Sequence, residues 1–425
     1  MRSRFMVFRP FLFYILLCCT FAQAQENIVN AVEVRGVSRS HPAFVKKLLR
    51  VSPGMPLDST LMARDVTRLI RLPSVSHAAF KVMSSPGEGY TVIYEITENF
   101  TLIPFANLFS SSNDAFAFRV GLQEFNLLGR NITLGAFYQY DVFNSYGIGV
   151  RAPYLFSNRF GLALTHNNFT TQEPVFFDSS TADYRYNNRG VELMGLYELD
   201  FRNRIELGGS IFTENYNYLS GATSPTVPQQ LSVDKHLFKL IYRYEDITYF
   251  YQYLQGFRSA LNFQYVGSSD HNLPEFLIGF NDFVYYRRMG DKGNWASRLR
   301  LGLASNIKTP FAPFTVDNNV NIRGVGNTID RGTGTLVLNT EYRHTLVEGN
   351  WLVVQGNVFI DAGSWRNPGG DFNDFTDEGN LRIYPGVGFR LMHKRIFNAI
   401  FRVDYGHGIT KDASRGLVFG IGQYF

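Results

Sequence analysis

Three charged residues are spaced so that they could form one buried ion cluster. Glu341 and Asp361 lie in two segments of alternating polar and apolar residues, and Arg323 lies in the long loop that precedes them. Each acid has the polar parity of its segment, so two neighbouring strands would present carboxylates to the same side. A planar guanidinium can bridge both acids through paired hydrogen bonds. We predict that loop 308–333 folds inward and that Arg323 pairs with both acids; the alternative is that the acids only line a wet pore.

Catalytic motifs are not found in this sequence. It contains no G-x-S-x-G, H-E-x-x-H or P-loop pattern, and its eight histidines are scattered without metal-ligand spacing. His166 shares a strand face with Leu162 and Leu164, which would suit a barrel phospholipase, but no motif places a serine near it. A histidine at the membrane interface is the simpler interpretation. We therefore predict no enzyme, no cofactor and no metal site.

The composition narrows the class of protein. Aromatic residues make up 16% of the chain and charged residues 18%, yet the mean hydropathy is only −0.11. Beyond the first residues no apolar run approaches the roughly 20 residues of a membrane helix. A membrane-spanning barrel strand needs no such run, because its apolar residues alternate with polar ones. The net charge of +5 is not gathered in a basic run, so nothing predicts a nucleic-acid partner.

The first 24 residues have the pattern of a secretory signal peptide. Positive residues precede a short apolar run and a small-residue exit: Arg2, Arg4 and Arg9, then 11–17, then Ala22-Gln23-Ala24. A retained N-terminal anchor is the alternative, and Leu17 disfavours lipoprotein cleavage at Cys18. Both cysteines, Cys18 and Cys19, lie inside this segment. The mature protein would therefore have no disulfide, no thiolate metal site and no cysteine nucleophile.

Residues 26–99 are predicted to form a small α+β domain. The order of patterns is strand, helix, helix, strand, strand. The second helix shows helical periodicity, and Asp58 or Ser59 can cap it; its apolar face comprises Met62, Val66, Leu69 and Ile70.

Residues 100–425 show strand-like alternation throughout. One segment places Leu299, Leu301 and Leu303 on one face and Arg298 and Arg300 on the other. A membrane barrel turns the apolar face to lipid and tolerates charge in its lumen. We predict sixteen strands, an even number as in single-chain bacterial barrels. They lie near 101–109, 114–125, 131–142, 145–154, 159–169, 184–198, 204–218, 231–244, 248–267, 275–288, 295–306, 334–346, 351–362, 380–392, 397–407 and 416–425.

An ordered set of short motifs resembles one known family. The set is Ile322-Arg323-Gly324-Val325, Asn339-Thr340-Glu341-Tyr342, Phe359-Ile360-Asp361-Ala362-Gly363, Gly386-Val387-Gly388-Phe389-Arg390 and the terminal Phe425, with Asn126-Leu127-Leu128-Gly129 as a turn near the start. It is similar to the barrel of the BamA/TamA superfamily, which includes two-partner secretion transporters, and residues 26–99 look like a POTRA domain. Val325 departs from the family, which prefers an aromatic residue there. Val34-Arg35-Gly36-Val37 copies the loop tetrad by chance.

The resemblance implies a function in handling polypeptides at the bacterial outer membrane, with the POTRA-like domain in the periplasm. The expected partners are unfolded outer-membrane or secreted client polypeptides and outer-membrane lipid, and periplasmic or lipoprotein partners are compatible with it. Phe425 would belong to the C-terminal recognition signal of outer-membrane barrels. Three alternatives remain at this point: assembly of outer-membrane proteins, secretion of one dedicated polypeptide, and a passive porin. A porin needs neither the N-terminal domain nor an arginine loop that would block its lumen.

Overall fold

The computed structural model describes residues 27–84, 89–110, 116–177, 180–225, 227–250, 252–309, 312–316, 321–325, 330–397, 399–411, 413–422 and 424–425. The predicted signal peptide, residues 1–24, lies outside this range. No helix in the described part of the chain is long and apolar enough to cross a membrane.

The N-terminal domain has the predicted order of elements. They are β1 (Val29–Arg35), α1 (Pro42–Leu48), α2 (Ser59–Ile70), β2 (Val75–Ser84) and β3 (Tyr90–Glu98). The sheet order is β1-β3-β2, with β1 parallel to β3, so β1 and β2 form its two edges.

Both helices pack on one face of this sheet, because the apolar side chains of α2 recur every three or four residues. Met62 and Leu69 are fully buried against Val92. Asp58 caps α2 by accepting from the backbone N–H groups of Thr60 and Leu61, at 2.8 and 3.2 Å.

Within the described residues, sixteen antiparallel strands form one continuous sheet that curves into a nearly closed barrel. They are β4 (Leu102–Ser110), β5 (Phe116–Leu127), β6 (Ile132–Asp141), β7 (Phe143–Ala152), β8 (Phe160–Phe177), β9 (Ser180–Glu198), β10 (Asn203–Gly221), β11 (Gln230–Phe250), β12 (Tyr253–Ser268), β13 (Phe276–Met289), β14 (Gly293–Ala304), β17 (Gly334–Glu348), β18 (Leu352–Arg366), β19 (Leu381–His393), β20 (Ile400–His407) and β21 (Arg415–Ile421).

The predicted number of strands is confirmed, but several predicted boundaries are wrong. Residues 170–177 and 180–183, assigned to a loop from the sequence, continue β8 and β9, because paired backbone groups need no strict side-chain alternation. The loop 308–333 contains a short hairpin of its own, β15 (Phe314–Val316) with β16 (Asp330–Gly332). The last strand, predicted over 416–425, ends at Ile421.

The two faces of the barrel differ as predicted. Leu301 and Leu303 on β14 point outward and keep 43% and 44% of their surface exposed, whereas Arg298 on the same strand is buried inside. The outward side chains of the other strands are also predominantly apolar, with Leu207 and Ile211 exposed by 63% and 72%. Such an exterior is stable only against lipid, and charge inside the barrel is tolerated because water and side-chain partners are available there.

The exterior leads to a prediction about location. We expect the protein to fractionate with the outer membrane and to migrate differently on gels before and after boiling, because a continuous network of strand pairs resists detergent until it is heated. Recovery in a soluble fraction, or equal mobility before and after boiling, would contradict the barrel.

The connections define two ends of the barrel. The N-terminal domain lies against the turns that follow β5, β7 and β9 and against Glu245 of β11, and this end is called the domain end. The loop 308–333 and the connection 367–380 lie at the opposite end, called the loop end. From the loop end, the loop 308–333 enters the lumen and reaches the middle of β17 and β18.

Candidate functional site

Arg323 lies at the centre of a fully buried ion cluster inside the lumen. Its Nε and Nη2 donate to the two carboxylate oxygens of Asp361 at 2.8 and 2.9 Å, and its Nη1 donates to Glu341 at 2.6 Å. Its backbone N–H also donates to Asp361, at 3.0 Å. All three side chains have no exposed surface. The loop and the two strands are thus joined by one arginine that uses its planar geometry on both acids.

A third carboxylate completes the acidic side of the cluster. Asp404 on β20 lies 3.6 Å from Nη1 of Arg323 and accepts from Arg402 at 3.0 Å and from Asn357 at 3.1 Å. Asp404 is fully buried. The loop arginine therefore connects three strands of the C-terminal half of the sheet, β17, β18 and β20.

Glu341 is shared among several arginines. Besides Arg323 it accepts from Arg390 on β19, at 2.9 Å to each oxygen, and it forms an ion pair with Arg343 on its own strand. Asp361, by contrast, has Arg323 as its cationic partner, and the described residues provide no second one. An unpaired buried charge is destabilising. Loss of Arg323 would therefore destabilise the structure far more through Asp361 than through Glu341.

The loop tip is held by apolar contacts as well as by charge. Ile322 and Val325 are fully buried in a small cluster with Val316, Val337, Trp365 and Tyr384. Gly363 makes room for this packing, since a Cβ at that position would lie 2.6 Å from the Ile322 side chain. Valine at 325, where the resemblance led us to expect an aromatic residue, therefore fills an apolar site inside the lumen.

Gly324 allows the tip to press against the barrel wall. Its φ of +96° is unfavourable for other residues, and a Cβ on it would lie within 2.8 Å of the backbone of Gly406 on β20. A Cβ on Gly406 would in turn lie 2.2 Å from the carbonyl oxygen of Arg323. The two glycines thus permit a backbone-to-backbone approach that sets the depth at which Arg323 enters the cluster.

Two aromatic rings lie close to the Arg323 guanidinium. Its central carbon lies 3.6 Å from the ring centre of Phe359 and 4.5 Å from that of Tyr424. Such stacking on a delocalised cation adds to the hydrogen bonds and excludes water from them. Phe359, singled out from the sequence as part of a strand motif, contacts the loop arginine directly.

The loop is also attached to a more distant strand. Arg331 on β16 forms an ion pair with Glu173 on β8, which is far from β17 in the strand order and therefore lies across the lumen. The hairpin β15–β16 with the loop tip thus extends from one wall of the lumen towards the other.

Phe425 does not lie where the sequence placed it. We expected the last strand to end on this residue, but β21 ends at Ile421, and Tyr424 and Phe425 turn into the lumen. Only 8% of the Phe425 surface is exposed, and the ring packs against residues of β11, β13 and β14. Alternation could not reveal this, because the departure from the strand depends on tertiary packing.

The first and last strands of the sheet form a weak seam. They occupy the two ends of the strand order, and no ladder of backbone hydrogen bonds joins the described residues of β4 to those of β21. Some Cα atoms of β4 nevertheless lie within 8 Å of Cα atoms of β21. At the domain end, Phe100 is bonded to the turn after β19, donating to the carbonyl of Arg395 at 3.1 Å and accepting from the N–H of Phe397 at 3.2 Å.

The N-terminal domain contacts the barrel through a loop stabilised by Glu98. This carboxylate accepts from the backbone N–H groups of Ser38, Arg39 and Ser40 at 2.7–2.8 Å. Burial would raise the pKa of Glu98, but these hydrogen bonds to the charged form outweigh burial and lower the pKa below its ordinary value. The hydroxyl of Ser40 then accepts from Asn126, at 3.1 Å, in the turn after β5. The motif Asn126–Gly129 is thus a docking point for the domain.

Arg68 on α2 and Arg71, the residue that ends this helix, make further contacts with the barrel. Arg68 makes a buried ion pair with Glu198 at the end of β9. Arg71 stacks on Phe201, 4.1 Å from its ring centre, and donates to the carbonyls of Phe201 and Glu245 at 2.7 and 3.1 Å. The domain is therefore fixed at the mouth of the barrel.

We expect Arg71→Ala to loosen this docking without unfolding the domain, because the Arg71 side chain bonds to turns of the barrel. Limited proteolysis should then cut the connection near 99–101 several times faster. Arg64→Ala is the matched control, since Arg64 lies on α2, the helix that Arg71 ends, but is exposed to solvent. Equal cleavage of both variants would mean that Arg71 does not hold the domain.

Several members of the site were not recognised from the sequence. Asp404, Arg390 and Arg402 complete the cluster, and Tyr424 covers the arginine. Asp404 lies between the apolar residues Val403 and Tyr405, and Arg390 ends one of the family motifs, so part of the signal was present in the sequence. Their convergence on Arg323 depends on the pairing of β17 to β20 and on the position of the folded-in loop, which a linear pattern does not contain.

Solved structures with this fold are known. No family model and no curated protein matches the chain. CdiB from Acinetobacter baumannii is similar with a TM-score of 0.60 and 12% identity over 93% of this chain and 74% of that chain. CdiB from Escherichia coli gives 0.59 and 12% over 93% and 76%. BamA from Haemophilus ducreyi lacking POTRA domains 1–3 gives 0.52 and 15% over 92% and 83%. The chain therefore has the same fold as these BamA and CdiB structures.

Proposed function

We propose that the protein inserts outer-membrane polypeptides into the membrane, with the N-terminal domain acting as a POTRA domain in the periplasm. The observation that carries this proposal is the seam between β4 and β21. A sheet edge without a ladder can accept a client strand through backbone hydrogen bonds, which give affinity without demanding a particular sequence. The surrounding exterior is apolar, so a strand added there would already face lipid.

The N-terminal domain supports the same function. Its sheet ends on β1 and β2, and either edge can bind an extended segment of a client in the same way. Because the domain is docked against the turns at the domain end, a segment held by it would be close to the seam. Periplasmic or lipoprotein partners would have access to its exposed surface.

A second candidate is secretion of a dedicated polypeptide through the lumen. The position of loop 308–333 inside the lumen favours it, since a folded-in loop held by Arg323 would act as a movable plug. The higher TM-scores of the CdiB structures are in keeping with this candidate. A passive porin is disfavoured, since the loop and the terminal residues occupy the lumen.

Depletion of the protein distinguishes the two candidates. The outer-membrane and secreted proteomes would be compared before and after depletion. Loss of many barrel proteins is expected if the protein inserts clients through the seam. Absence of one secreted protein with an otherwise unchanged outer membrane would favour transport through the lumen. Unchanged proteomes would contradict both.

A further inference from the structure

A cationic crevice lies between the N-terminal domain and the rim of the barrel at the domain end. Its volume is about 280 Å³. The domain contributes His41, which precedes α1, and Lys47 within α1, and the barrel contributes Arg130 in the turn after β5. The floor is aromatic, because Tyr154 from the turn after β7 packs against Phe44 of α1 with the ring centres 6.1 Å apart. The crevice therefore exists only while the domain is docked on the barrel.

Backbone contacts fix the spacing of the two walls. The N–H group of His41 donates to the carbonyl oxygen of Gly129 at 2.9 Å, one residue before Arg130. Gly129 has a φ of +66°, and a Cβ at this position would lie 2.5 Å from the carbonyl oxygen of Arg39. Glycine is therefore required for this close approach. The same approach brings Lys47 and Arg130 into the walls of one small cavity.

The two cations of the crevice have no counter-ion among the described residues. The side chains of Lys47 and Arg130 are exposed, and neither forms a hydrogen bond or an ion pair with the described part of the chain. None of the described residues that line the crevice is acidic. Two like charges in a cavity of this size repel each other, so an anion between them would be bound favourably. The charge therefore indicates an anionic ligand.

The crevice opens towards the lipid-facing side of the barrel. Ile132, the first residue of β6, lines it and has the same parity as Leu134, which points outward and is exposed. The neighbouring turns also carry exposed apolar side chains. Leu128 after β5 keeps 74% of its surface exposed, and Leu155 and Phe156 after β7 are exposed as well. Exposed apolar groups that border a lipid-facing surface mark contact with the membrane.

We propose that this crevice is a binding site for an anionic phospholipid of the membrane leaflet at the domain end. The lipid phosphate lies between Lys47 and Arg130, and the acyl chains run along Ile132 and Leu155. Basic pockets at a membrane surface select anionic headgroups by charge. A free phosphate ester would satisfy the two cations but would leave the apolar border of the crevice uncovered, so the lipid is the better occupant.

The bound lipid contacts the domain and the barrel at once. It therefore stabilises the docked position of the domain, because a ligand that binds only one arrangement favours that arrangement. The inference goes beyond the proposed function and does not depend on it. It requires the apolar exterior and the docked domain, and its tests use no client.

Lipid titration of the full chain in a neutral detergent tests the site, with the bound species resolved by native mass spectrometry. Phosphatidylglycerol is the anionic probe, and phosphatidylcholine with the same acyl chains is the zwitterionic one. The wild type should bind the first phosphatidylglycerol at least tenfold more tightly than the first phosphatidylcholine. Lys47→Gln with Arg130→Gln should reduce this preference to less than threefold, because both cations are lost.

Two control variants separate the site from net charge and from packing. Arg64→Gln with Lys292→Gln removes the same charge from exposed residues of the domain and of a domain-end turn, outside the crevice, and should keep the preference. Lys47→Arg with Arg130→Lys keeps both charges inside the crevice and should keep it too. Heat-dependent gel mobility checks that each barrel is folded. The site would be overturned by an unchanged preference after Lys47→Gln with Arg130→Gln, or by an equal loss in the Arg64 and Lys292 control.

The water-soluble headgroup distinguishes a lipid from a free anion. Glycerophosphoglycerol carries the same phosphate diester without acyl chains and should bind at least tenfold more weakly than phosphatidylglycerol. Equally tight binding of the two would assign the crevice to a soluble phosphate ester and overturn the lipid.

Limited proteolysis tests whether the lipid stabilises the docked domain. Saturating phosphatidylglycerol should slow cleavage of the connection near 99–101 at least threefold in the wild type, and it should have no such effect after Lys47→Gln with Arg130→Gln. Phosphatidylcholine should slow cleavage of neither. Equal cleavage of the wild type with and without phosphatidylglycerol would overturn the bridging of domain and barrel by the lipid.

Discussion

Replacing Arg323 by alanine is expected to reduce client handling about tenfold or more while the barrel still forms. Breaking a buried ion pair by removing one partner typically costs about 3–5 kcal/mol, and lumenal water lowers this figure. The strand ladders remain, so the penalty should act chiefly on the loop. A shift of only ~1.4 kcal/mol against the folded-in loop already changes its population tenfold.

The arrangement of charges predicts which of the two acids is left without an ion pair when Arg323 is removed. Without Arg323, Asp361 remains buried with no other ion pair among the described residues, whereas Glu341 keeps Arg343 and Arg390. Asp361→Ala alone should be damaging. The double variant of Arg323→Ala with Asp361→Ala should be little worse than Arg323→Ala, because the second change removes a charge that the first has left unpaired.

Arg323→Lys should also be poorly tolerated. The ammonium group of lysine cannot donate at once to both oxygens of Asp361 and to Glu341, as the planar guanidinium does. It also stacks less well on the rings of Phe359 and Tyr424. Insertion or secretion of clients in cells depleted of the native protein is the measurement, with heat-dependent gel mobility as the check on folding.

Arg35→Ala is the control for this series. Arg35 lies in the look-alike tetrad of the N-terminal domain, where it is exposed and pairs with Glu33 two residues away. Exposed ion pairs of this kind contribute little to stability. The Arg35→Ala variant should therefore handle clients almost as well as the wild type. A role for the pairing of Arg323 with Glu341 and Asp361 would be refuted by full client handling in Arg323→Ala, or by effects of Arg323→Ala and Asp361→Ala that simply add.

Locking the seam is the second change with a large expected effect. A cysteine within 102–106 of β4 and another within 415–421 of β21, tried in successive registers, should form a disulfide in at least one pair. If clients enter through the seam, that disulfide should abolish insertion, and reduction should restore it. The native cysteines Cys18 and Cys19 lie in the predicted signal peptide, so they should not compete in the mature protein.

A disulfide between β4 and β5 serves as the control, since these strands are already joined by a continuous ladder. It adds a cross-link of the same kind without closing the seam and should leave insertion intact. Full activity with the seam locked would shift the conclusion to transport through the lumen. Loss of activity in the control as well would mean that the cross-link acts through general rigidity.

Much of the fold was determined by local patterns in the sequence. A period of two residues for sixteen segments specifies a barrel with an apolar exterior, because each strand must turn one face to lipid. A period of three to four residues in α2 specifies a helix packed on a sheet. Parity alone assigned Glu341 and Asp361 to the inward face, since a side chain's face depends only on its position along its own strand.

Other features were decided only by tertiary structure. Asp404 and Arg390 lie on strands well separated in sequence from Arg323, and they join its cluster because β17 to β20 pair side by side and the loop folds against them. The inward turn of Tyr424 and Phe425 follows from a pocket made by distant strands. The missing ladder between β4 and β21 is a relation between the two ends of the chain. Alternation describes each strand separately and contains no information about such long-range contacts. The sequence pattern therefore indicated the barrel and its loop arginine. It did not indicate the inward turn of the C-terminal residues, the missing ladder at the seam or the docking of the N-terminal domain.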